Sequence, residues 1–235
     1  MDGVSLSVLI GAVSVAFFHT LLGPDHTLPF IMLARARSWS MGRTLVITFL
    51  CGLGHVAGSL LLGGLGIALG YGIGALESAE EGRGAWAAWV LFAFGFAYMV
   101  WGVRLAWRRR SGLALHDHAG HVHVHVHGHG DHEHAHDNKS GSPTSFWVLF
   151  AIFVLGPCEP LIAFFMVPAS EGNWTLAVTT AIAFSICTLA TMLGVVALGL
   201  AGYRRLRLGR LEHWSEALAG ATVALCGLAI LFLGL

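Results

Sequence analysis

The sequence predicts an all-α, polytopic membrane protein. Six transmembrane helices are expected as a 3+3 inverted repeat, with the first and fourth helices broken. Three observations carry this. Hydrophobic residues make up 56% of the 235 residues and charged residues only 11%, against about 25% charged in an average soluble domain. Six apolar runs reach the roughly 20 residues that a helix needs to cross the hydrocarbon core. Two of those runs carry a Gly-Pro break. The composition excludes a disordered chain, a nucleic-acid binder and an ordinary cytosolic globule. The formal net charge is zero with His neutral, so charge implies no partner, and the lipid bilayer is the expected surrounding.

The runs fall at 4–22, 44–70, 86–107, 145–167, 174–201 and 214–235. The start, Met1-Asp2-Gly3, lacks the basic segment of a signal peptide, so the first run is expected to be retained as a span. It meets Gly23-Pro24 and continues as apolar sequence to Ala34, while the fourth run carries Gly156-Pro157 and Pro160 in its middle. Proline removes a helical hydrogen bond. Backbone groups freed at that depth are tolerated only in protein packing or beside a wet cavity. Three regions follow: a first repeat at 1–112, a His-rich loop at 113–143 and a second repeat at 144–235.

Orientation follows from Lys and Arg. The loops after runs one, three and five, with the helix ends beside them, hold twelve of the 13 cations. The other two loops hold only Arg83, beside Glu77, Glu80, Glu81 and Glu171. Both termini are therefore expected outside a cell (inner) membrane, and the His-rich loop in the cytoplasm. The halves match weakly but in register. Leu22-Gly-Pro-Asp25-His26 pairs with Leu155-Gly-Pro-Cys158-Glu159, Gly70-Tyr71 with Gly202-Tyr203, and Gly95-x-Ala97-x4-Gly102 with Gly227-x-Ala229-x4-Gly234. Three spans per half is an odd number, so the second half enters the membrane inverted. Transporters built this way place their site at broken helices near the midplane.

The chemistry concentrates at the first break, in His19-x3-Gly23-x-Asp25-His26. An acid at membrane depth costs about 2.5–3.5 kcal/mol on insertion scales and is a functional candidate by default. Two histidines seven apart share a helical face. Imidazole suits nickel, cobalt, zinc or copper, and carboxylate suits most divalent ions. The bland alternative is that Asp25 caps the short helix after Pro24. His55, among small residues in run two, is a candidate fourth ligand or direct neighbour, and Cys51 one turn away a weaker soft one. At the second break, Glu159 is a candidate for ion binding or proton coupling, and Cys158-Glu159 takes the place of Asp25-His26. Thr188 and Thr191 read as packing, His213 and Glu216 as serving the end of run six, and Trp86, Trp89 and Trp147 as interface anchors.

Between His116 and His136, ten of 21 residues are histidine: His116, His118, His121, His123, His125, His127, His129, His132, His134 and His136. This composition reads as a disordered, metal-binding segment, a capture loop or sensor rather than the translocation site. A pH sensor is the alternative reading, since His titrates near neutrality. The four cysteines form no CxxC pair.

The first constellation resembles the first-span signature of the nickel/cobalt transporter superfamily (NiCoT and NicO), including its small HupE/UreJ-type and UreH-like permeases. The His-rich loop resembles that of the nickel/cobalt efflux branch. The resemblance covers mainly spans one and two. It implies a six-span core, a divalent cation as substrate and ligand roles for His19, Asp25, His26 and His55. The larger permeases have one residue fewer between the first His and the Asp, and usually eight spans. The second break looks more like the proline-flanked Cys motif of the CcdA/DsbD electron carriers, and sulfite exporters belong to the same broad group. The expectation is a transporter, not an enzyme, with nickel, cobalt or zinc as substrate, no tightly bound cofactor, and a homo-oligomer as a further partner. An electron carrier would need a second cysteine where Asp25 stands, and paired acids and histidines disfavour an anion site.

Overall fold

Every backbone N–H and C=O in a bilayer needs an internal partner, which restricts an apolar chain of this kind to helices. The computed structural model describes residues 3–110, 113–118, 121–126, 143–156, 158–205 and 209–233. Its helices are α1 (Gly3–Leu22), α2 (Leu28–Ala36), α3 (Met41–Ala68), α4 (Ile73–Arg110), α5 (Pro143–Leu155), α6 (Glu159–Ser170), α7 (Trp174–Arg205) and α8 (Ser215–Leu233). Short 3-10 turns at Pro24–His26 and Gly209–Trp214 precede α2 and α8. Five stretches are long and apolar enough to cross a membrane. Helices α5 and α6, bent by 44° at their break, make a sixth if counted as one span. These dimensions fit a multi-pass membrane protein.

Both expected breaks are present. Gly23 leaves α1 in an extended conformation, and Pro24 starts the 3-10 turn. Cys158 is the N-cap of α6, with Pro160 in its first turn, where a missing N–H breaks no helical bond.

Two expectations change. Helix α4 begins at Ile73, not near residue 86, so Glu77, Glu80, Glu81 and Arg83 lie within a helix rather than in a loop. Ala and Glu are strong helix formers, and the Glu80–Arg83 pair, three residues apart, is satisfied inside the bundle. The remaining turns, 69–72 and 171–173, contain no Lys or Arg. Part of the His-rich loop, expected to be disordered, forms an antiparallel hairpin of β1 (Leu113–His118) and β2 (His121–Val126), with His116 opposite His123 and His118 opposite His121. Alternation of His and Val is a strand period. His127, His129, His132, His134 and His136 lie outside the described residues.

Helices α4 and α8 run antiparallel in backbone contact. A Cβ at Gly95 would strike Ala224, one at Gly102 Ala217, one at Gly220 Met99, and one at Gly227 Phe92 and Ala88. Small residues of this kind let membrane helices approach closely, since lipid tails leave no hydrophobic drive for association. Glu216 is buried at the start of α8 and accepts a hydrogen bond from the Tyr98 hydroxyl, to which Arg37 Nε donates at 2.8 Å. It therefore links two helices rather than only serving a helix end. A large apolar cluster including Phe30, Leu33, Cys51, Phe153, Met192 and Val196 fills the bundle on the side of the α2–α3 turn. Thr188 is buried, whereas Trp86, Trp89 and Trp147 are exposed as anchors would be.

Candidate metal centre

The first break brings three histidines together. His19 lies in the last turn of α1, His26 in the 3-10 turn and His55 in the middle of α3. The ring centroids of His19 and His26 are 5.0 Å apart, and those of His26 and His55 are 5.2 Å apart. One nitrogen from each ring falls within 4.8 Å of the others. Around a tetrahedral ion with bonds of about 2.0–2.1 Å, donor atoms stand about 3.3 Å apart.

His26 and His55 are each held through one ring nitrogen. His26 Nδ1 lies 3.0 Å from Asp25 Oδ1, and His55 Nδ1 lies 3.2 Å from the Phe153 carbonyl oxygen. Both partners accept, so each Nδ1 carries a proton, and in the neutral ring each Nε2 keeps its lone pair. The Nε2 atoms of His19, His26 and His55 are all buried without a hydrogen-bond partner among the described residues. One such atom costs about 1–3 kcal/mol, so three in one histidine group call for a ligand. An Nδ1 proton donated to a carboxylate or backbone carbonyl is also the usual support of a metal-bound imidazole.

Asp25 is not a helix cap. The caps at Gly23 and Thr27 make no side-chain bond, and Asp25 is turned to His26 instead. Asp25 bonds His26 and lines the same spaces as the histidines, while the 4.8 Å group consists of His19, His26 and His55. Gly23 is required here: a Cβ would stand 2.5 Å from His26 Nδ1 and 3.0 Å from Asp25 Oδ1.

A cavity of about 350 Å³ reaches the centre, lined by His19, Asp25, His26, Glu81 and Glu159 among others. Its walls come from the N-terminal part of α4, the first turn of α6 and the last turns of α8. A smaller space of about 30 Å³ lies against Asp25, His26, His55, Phe153 and Gly156, enough for a water molecule or a bare ion. Phe30 and Phe153 pack with tilted rings, centroids 4.8 Å apart, and the Phe153 ring lies 6.3 Å from that of His55.

Of the second-break residues, Glu159 is exposed and faces the cavity, whereas Cys158 is buried in apolar packing with Ala12, Ala16, Val56 and Phe184. Cys51 belongs to the large apolar cluster rather than to the histidine group. None of the four cysteines forms a disulfide.

Sequence reasoning missed Glu80 and Arg83. Glu80 is fully buried, with Oε1 2.6 Å from Arg83 Nη2. Charge in a short window reads as a loop. The only signal was the i,i+3 spacing of opposite charges. It also missed the Phe153 carbonyl, which no side-chain pattern marks.

Comparison with family models, curated proteins and solved structures yields no match.

Proposed function

We propose that this chain is a membrane transporter of divalent transition-metal ions, with nickel and cobalt the leading substrates and zinc the next. The substrate ion binds to the Nε2 atoms of His19, His26 and His55, with Asp25 orienting His26 and balancing charge. The single observation behind this reading is the convergence of three buried, unpartnered imidazole nitrogens at a helix break. Imidazole sets favour these metals over magnesium or calcium, and the resemblance at spans one and two narrows them to nickel and cobalt.

The proposed mechanism is alternating access between two inverted three-helix repeats. Three features support it. The breaks occupy corresponding positions in the two halves. Helix α1 packs on α7 as α5 packs on α3, so each half lays its first span on the other half's second. The cavity approaches the centre from one end of the bundle, while Phe30 and Phe153 pack together beside His55. Glu159, on the cavity wall, is placed to pass protons or to meet the ion as it enters or leaves. The cation-free turns 69–72 and 171–173 favour an outer position for that end. The His-rich hairpin then lies in the cytoplasm, where it concentrates metal ahead of export.

The test is cellular metal content by mass spectrometry under nickel or cobalt load. Wild type should lower the content, and His26→Ala and His55→Ala should leave it at the level of cells without the protein. Deleting 116–136 should change only the concentration at which protection begins. Metal levels unaffected by wild type, or lowered equally by the His26→Ala variant, would remove this reading.

A further inference from the structure

Helix α5 ends at Leu155, and α6 starts at Glu159. The Gly156 carbonyl and the Cys158 amide lie outside both helices, and backbone groups at membrane depth must find partners within the protein. Two of these partners come from α4. Arg83 Nη2 donates to the Gly156 carbonyl at 3.3 Å and to Ser59 Oγ at 2.9 Å, and lies 2.7 Å from Glu80 Oε2. The same Glu80 Oε2 accepts the Cys158 N–H at 3.3 Å. One buried ion pair therefore ties α3, α4 and both lips of the second break.

The tie reaches the histidines through the backbone. The Gly156 N–H donates to Ile152 O at 2.8 Å and Phe153 O at 3.2 Å, which joins the clasped residue to the end of α5. Phe153 O is also the atom that receives His55 Nδ1. A Cβ added at Gly156 would stand 3.4 Å from that same nitrogen. Moving the end of α5 therefore moves the acceptor that orients His55.

We propose that Arg83 and Glu80 are positioning residues of the metal centre: by clasping Gly156 and Cys158 they fix the Phe153 carbonyl that orients His55. This rests on the metal-centre reading. Neither residue touches the ion. One nitrogen, Nη2, makes all the Arg83 bonds named above, although it carries two hydrogens. A lysine ammonium has three donors on one atom and the same charge, so charge and contact point matter here, not the guanidinium fork.

The test uses the purified full chain in nanodiscs, titrated with Co²⁺ and read by visible absorption. The centre's signal is the component of the spectrum that His26→Ala abolishes, which sets aside ions held by the His-rich loop. Arg83→Gln should weaken Co²⁺ at the centre by about 10- to 100-fold, the usual effect of losing an outer-shell partner, and shift its bands. Arg83→Lys should restore both the affinity and the band positions. If Arg83→Gln does not yield folded protein, Glu80→Gln decides, with weaker binding and shifted bands expected. Wild-type affinity and bands in whichever of these two is measured, or failure of Arg83→Lys to restore them, overturns the clasp. Identical spectra for wild type and His26→Ala would instead overturn the metal centre itself.

Discussion

The two breaks occupy matching places in the chain, yet they are finished in opposite ways. At the first, the backbone satisfies itself: the Gly23 N–H donates to His19 O at 3.0 Å, and the His26 N–H to Gly23 O at 3.2 Å. Its side chains are left free of that task, and Asp25 and His26 bond each other. At the second, side chains of α4 are consumed in supporting the backbone, through Arg83 on Gly156 and Glu80 on Cys158. A matching kink therefore duplicates geometry without duplicating chemistry. One break gathers unpartnered imidazole nitrogens, and the other is braced by an ion pair from α4.

The largest expected effect breaks the comparison outright. His55→Ala removes a donor contributed by neither break, and the Co²⁺ component defined by His26 should fall below detection in absorption titrations. Next comes a matched pair of glycine substitutions. Gly23→Ala drives a methyl into His26 and Asp25, whereas a Cβ at Gly156 meets its neighbours only at 3.4 Å. The first should weaken binding by about tenfold or more, the second clearly less, and calorimetry with Co²⁺ would measure the difference. Equal losses would show that both breaks carry ligands.

Asp25→Asn is milder, because the amide oxygen still accepts from His26 Nδ1 while the charge is gone. Binding should drop by about tenfold, and Asp25→Ala should drop it further. Smallest is Cys158→Ser. The thiol lies in apolar packing away from the histidine group, so cellular metal content should remain at the wild-type level. Loss of all activity in this variant, with His26→Ala still active, would turn the second break into a redox site instead.

Much of this was legible in the sequence, for identifiable reasons. Run lengths and Gly-Pro pairs are local, and they located both breaks and most helix ends within a few residues, the start of α4 at Ile73 being the exception. Seven-residue spacing suggested that His19 and His26 share a face. Although α1 stops at Leu22, the 3-10 turn still holds the two rings 5.0 Å apart. His55 was visible only as a polar residue among small ones. The division of labour between the breaks was not legible. It depends on Glu80 and Arg83, whose charges lower any averaged hydropathy and so resemble a loop. It depends equally on a main-chain carbonyl, which every residue possesses. Likewise the alternating His-Val run carries a strand period, but its many histidines suggested disorder more strongly.

The glycine seam between α4 and α8 has a mechanical corollary. Where two backbones touch, Cα hydrogens facing carbonyl oxygens replace interlocking side chains as the contact surface. Such a joint has no slack: a slide of one residue would push neighbouring side chains into space that only a hydrogen atom occupies now. In the proposed alternating-access cycle, α4 and α8 would therefore turn together as one stiff spindle rather than slide past each other.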